Sequence, residues 1–157
     1  VTNVAEDHLG LQAIDTIEKL ARVKSVAAQT VLPEGYAILN AADDLVFDMR
    51  RDLDCKIALF SLDETNPRIK EHCAKGGLSA VYEHGYVTVL KGTWKIRVEK
   101  VTDIPLTFTG KAVFNISNVL AATLAFLEAH EPDLLACAEA IGVKPAQIVA
   151  ARSLLES

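Results

Sequence analysis

Hydrophobic residues recur along this chain with two different spacings, and the change between them divides it. Val1, Val4 and Ala5 form a short apolar strand with a polar exit. Ile17, Ala21, Lys24 and Ala28 then follow at helical steps, a stripe along one helix face. Asp15, with Glu18 three residues on, has the form of a capping box and predicts the helix start. Leu32-Pro33-Glu34-Gly35 has the proline and glycine positions of a type I turn, and a short apolar strand over 36–40 comes after it. A helix over 45–53, a buried strand over 56–62 and a short helix near 67–75 complete this alternating region.

From Ser79 the apolar period becomes two. Runs at 80–82, 86–90 and 93–98, with Gly85 and Gly92 at the reversals, predict antiparallel hairpins. Trp94, Ile96 and Val98 share one face of the last run, and Lys95, Arg97 and Glu99 share the other. Asn115 is a good cap for a long helix carrying Val119, Leu120, Thr123, Leu124 and Leu127. Two helical runs end the chain, one over 134–141 stopping at Gly142 and one with Pro145 in its first turn. Together these elements predict a three-layer α/β domain, its sheet partly parallel with a small antiparallel meander.

In open parallel sheets, ligands collect beyond the carboxyl ends of the strands, which directs attention to the polar groups there. Glu6, Asp7 and His8 crowd the exit of the first strand, with Gly10 allowing a sharp change of direction. Two carboxylates and an imidazole can hold a hard divalent cation, or simply make a charged turn. Lys24 lies on the inward stripe, where an ammonium is costly unless it is paired or chemically altered. The plainer alternative is that it snorkels from the edge of the stripe. Asn40 and Asp43 stand where strand 36–40 ends, and on local grounds Asp43 or Asp44 would cap the next helix. Asn115 and Asn118 are three apart and face one side of their helix, although a capped helix needs nothing more. His72 beside Cys73 has no partner at ligand spacing and reads as an exposed helical histidine.

Composition narrows the class. A chain of 157 residues suits one domain, and the balance of 16 basic against 21 acidic residues argues against a nucleic-acid partner. Helix, Ile141-Gly142-Val143, helix also fits a helix-turn-helix, but the second run offers only Lys144 and Arg152 for phosphates. No apolar run reaches the roughly 18 residues of a membrane span, and no signal peptide is visible. Cys55, Cys73 and Cys137 are odd in number and far apart, which suits a reducing cytoplasm. The chain opens on Val1, inside a predicted strand and without methionine, so it reads as a fragment.

Thr2-Asn3, then Asp7-His8, then the helical Lys24 resemble the middle of the ATP-dependent Mur ligases and folylpolyglutamate synthetases. More narrowly, VTNVAEDHLGL, IDTIEKLARVKS, GYAILNA and GGLSAVYEHGYV are similar to the Mur-ligase-like half of the cyanophycin synthetases. The resemblance covers residues 1–126, which it identifies as the later part of a central ATPase domain, with 127–157 a short helical tail of that domain. It implies an ADP-forming ligase in which ATP phosphorylates a carboxyl group and an amine attacks the acyl phosphate. In this family the amine would be arginine and the acceptor the aspartate side chain of a polymer. His8 matches a histidine that binds Mg2+, and Lys24 a lysine that in several members carries a carbamate near that metal.

Asn40 and Asp43 match an Asn-Ala-Asp-Asp motif near the nucleotide, with Ala42 departing from it. Asn115 and Asn118 match His-Asn-x-x-Asn, whose amides approach the adenine of ATP, with Phe114 replacing the histidine. The implied cofactors are ATP and Mg2+, and the implied full-length parent is a homo-oligomer. The phosphate loop G-x-x-x-x-G-K-[ST] does not occur in this sequence, so the chain alone is expected to be inactive. The competing expectation is a shortened, non-catalytic α/β module that binds nucleotide or subunits weakly.

Overall fold

The computed structural model describes residues 1–4, 16–128 and 143–155. Its strands are β1 (Tyr36–Asn40), β2 (Lys56–Ser61), β3 (Leu78–Glu83), β4 (Tyr86–Lys91) and β5 (Trp94–Lys100), joined in that order as one sheet. The first three run parallel, with Ile38 opposite Ala58 and Ala58 opposite Leu78. The last three form an antiparallel meander. The sheet is therefore mixed, as the change of period predicted.

Its helices are α1 (Ile17–Gln29), α2 (Asp44–Asp48), α3 (Pro67–Ala74), α4 (Val113–Glu128) and α5 (Pro145–Leu155). Side chains alternate across the strands, and the two faces gather different helices. Leu39, Leu59 and Val81 pack with Leu20 of α1, Val46 of α2 and Ile69 of α3. Phe60, Ala80 and Val89 pack with Val119, Leu120 and Leu124 of α4 and Ile148 of α5. Strands covered on both faces are apolar throughout, which is why β2 reads as a continuous run. Each fully buried side chain of this kind, such as Phe60 or Leu59, contributes about 1.5–3 kcal/mol. Among the described residues no helix is long and apolar enough to cross a membrane.

Several local expectations change in the fold. Residues 1–4 take no strand pairing. They run beside β1 instead, where the Val1 nitrogen donates to the Ile38 carbonyl at 2.6 Å. Thr16 caps α1, its hydroxyl accepting from the Lys19 amide at 3.2 Å. This frame sets Lys19, not Glu18, third in the helix and removes the capping box. The helix expected over 45–53 is α2 followed by a 3-10 turn at Met49–Asp52. Helix α4 begins at Val113, so Asn115 lies in its first turn and is not its cap.

His72 is half-buried rather than exposed, with Nε2 3.1 Å from the Ile57 carbonyl oxygen. Gly77 makes room for the ring, since a Cβ there would fall 2.3 Å from it. A register irregularity at Val87/Thr88 pairs Val87 with Glu99, while Thr88 pairs with Arg97. The bulge turns Glu99 away from the face of Lys95 and Arg97, toward Lys144 at the start of α5. The helical run expected over 134–141 lies outside the described residues.

Candidate functional site

The carboxyl end of β1 opens into a cleft of about 280 Å³ lined by Thr2, Asn3, Asn40, Phe114, Ser117 and Asn118. Three distant stretches of chain meet there. Residues 1–4 are held by a set of side-chain bonds. Asn40 Nδ2 donates to the Thr2 carbonyl at 2.8 Å, while its Oδ1 accepts from the Ala42 amide at 2.9 Å. Asp43 caps α2, with Oδ1 accepting from Val46 N at 3.0 Å, and its Oδ2 accepts from Val4 N at 2.8 Å. The local reading of Asp43 as a cap is thus borne out, and its second oxygen ties the lip of the cleft to the sheet.

Helix α4 supplies the opposite wall. Residues three apart on a helix differ in direction by about 60°, and this is enough to separate the two asparagines. Asn115 is only 8% exposed and donates from Nδ2 to the Leu106 carbonyl at 2.7 Å. It anchors the segment that precedes the helix and does not line the cleft. Asn118 is exposed and does line it, and its amide makes no hydrogen bond among the described residues. Phe114, one turn earlier, is 71% exposed at the rim. Of the four nucleotide candidates, then, Asn40 and Asn118 face one cleft, whereas Asp43 and Asn115 hold its walls.

Lys24 approaches the same place. It is half-buried, and its Nζ donates to the Asn3 carbonyl at 3.0 Å. An ammonium on the inward stripe is therefore satisfied by a backbone oxygen that belongs to the cleft lip. Glu6, Asp7 and His8 lie outside the described residues, and with them the meeting of His8 and Lys24.

Ser117 was not singled out in the sequence. Its only signal was its place between Phe114 and Asn118 on the first turns of a helix.

The model of the Mur ligase middle domain matches residues 1–126. A second family model, of proteins of unknown function, matches residues 112–157. Among curated proteins, the chain is 54% identical over 125 residues to a cyanophycin synthetase of Synechocystis sp., covering 80% of this chain and 14% of that protein. Also over 125 residues and with the same coverage of each chain, it is 51% identical to the cyanophycin synthetase of Geminocystis herdmanii and 49% identical to that of Nostoc sp.. It spans about 14% of the length of these relatives. The extent of the middle-domain match and an identity near half over 125 residues lead to one conclusion: the chain belongs to the Mur ligase family, with cyanophycin synthetases among its relatives.

Proposed function

We propose that this chain provides the adenine end of an ATP site, and part of a Mg2+ site, in an ADP-forming amide ligase that joins arginine to the aspartate side chain of a polymer. The observation that carries this reading is the cleft at the carboxyl edge of β1, where the unengaged amide of Asn118 stands beside the exposed ring of Phe114. An amide offers one acceptor and two donor hydrogens, which suits the paired donor and acceptor on the edge of adenine. Asn40, Asp43 and Asn115 act in this reading through position: they hold the lip and wall against which the base would lie.

His8 and Lys24 would hold Mg2+, which when bound offsets phosphate charge. As an ammonium, Lys24 repels a dication. As a carbamate it would offer anionic oxygens at the cleft lip, where Nζ donates to the Asn3 carbonyl.

The triphosphate needs a cradle that no motif in this sequence supplies. The chain by itself should consequently show no turnover with ATP, arginine and an aspartate-rich primer. Coupled release of ADP above a blank without enzyme would overturn that. In a full-length parent, Asn118→Ala should raise the KM for ATP about 2- to 13-fold, the equivalent of about 0.5–1.5 kcal/mol for one lost hydrogen bond. The KM for arginine should stay put. An unchanged KM for ATP in a folded variant would return Asn118 to a purely helical role.

A further inference from the structure

The same edge of the sheet carries a second cluster that none of the preceding assignments uses. Glu83 closes β3, His84 opens the turn to β4, and Glu64 comes from the loop after β2. One ligand atom from each lies within 4.8 Å of the others. His84 Nδ1 is 3.6 Å from Glu64 Oε2. The side chain of Glu83 is nine-tenths buried, as its residue is only 7% exposed.

The state of the carboxylate oxygens sets this cluster apart from an ordinary acidic surface. Lys95 bonds Oε1 of Glu83, and this contact keeps the carboxyl well below its usual range. Oε2 is buried with no hydrogen-bond donor, because Arg97 Nε stops 3.7 Å away. Oε2 of Glu64 is likewise buried and without a donor. Buried acceptors are nearly always satisfied in folded proteins, and two orphaned ones beside a single imidazole call for a shared partner.

We propose that Glu64, Glu83 and His84 form a binding site for a divalent transition metal of the Zn2+ or Co2+ class. Lys95 and Arg97 already offset the charge of Glu83, so only Glu64 adds negative charge to attract a hard cation. Selection then falls to the imidazole, which favours Zn2+ and Co2+ over Mg2+ and Ca2+. Three protein ligands leave a coordination position open to water or a further group. The bound ion would clasp the loop after β2 to the β3–β4 turn. The site shares no residue with the proposed nucleotide cleft and does not depend on it.

Titration of the purified chain with Co2+, followed by its visible absorption, tests this directly. The His8→Ala background is used so that the imidazole of His8 cannot contribute, and Mg2+ is present in large excess. The expected result is saturable uptake of one equivalent that Mg2+ does not displace. Glu64→Gln and His84→Asn should each weaken it at least about tenfold; asparagine is chosen because it tolerates the positive φ of 48° at this position. If a variant fails to fold, NMR on the unsubstituted chain decides: stoichiometric Co2+ must shift the amide signals of Glu64 and Glu83–Gly85. No uptake, uptake indifferent to both variants, a thiolate charge-transfer band, or shifts centred elsewhere would each overturn the site.

Discussion

His72 carries the clearest electrostatic consequence of a single residue's placement. Burial pushes its imidazole below the ordinary 6.5, and the carbonyls of Ile57 and Leu78 only partly restore it. The folded state consequently holds His72 neutral at a pH where the unfolded chain has begun to bind a proton. Stability contributed by the neutral ring is complete above 6.5 and is lost as pH falls below it. Tm should therefore drop as pH is lowered from about 7.5 to about 5.5, and the drop should be shallower in His72→Asn. An identical pH slope in that variant would mean that the titration belongs to another group. Neither the burial of His72 nor its tie to Gly77 was legible in the sequence, because the ring meets the end of its own crossover only after β2 and β3 have paired. Asp43 was legible, since a cap is decided within three residues. Lys24 was half legible: the stripe gave its inward direction, but its partner Asn3 is a long-range acceptor.

Among the elements, α1 shows how a cap one residue away moves a boundary. Thr16→Ala removes the hydroxyl that accepts from Lys19 N and should cost about 0.5–2 kcal/mol in urea unfolding. Glu18→Ala should cost less, because Glu18 does not stand where a capping box would need it. A larger loss for Glu18→Ala than for Thr16→Ala would reinstate the box. The strands were legible as elements because burial on both faces or on one leaves different periods in the sequence. The bulge in β5 was not, since it exists only relative to β4, and with it went the side of the sheet on which Glu99 lies. The start of α4 was misplaced for a similar reason: the side chain of Asn115 is spent on Leu106, an acceptor outside its own helix.

For the whole molecule, the alternating and meandering regions foretold a mixed sheet between two helical layers, and that is its architecture. The cleft was legible as an edge, from the polar ends of the strands, but not as a set of walls. Thr2, Asn40 and Asn118 converge there from widely separated parts of the chain. The meander is the opposite case, built from neighbours joined by short turns at His84-Gly85 and Gly92-Thr93. Contacts between sequence neighbours form sooner than those that must close long loops. Assembly should therefore run across the sheet from β5 toward β1, and recognition of a ligand would be the last property the molecule acquires. Trp94, the only tryptophan, sits on β5 at the early end of that order. On the proposed nucleotide reading, in stopped-flow refolding its fluorescence should recover before a fluorescent adenine nucleotide can bind, so for an interval the chain would look native to its own tryptophan and still be blind to the nucleotide.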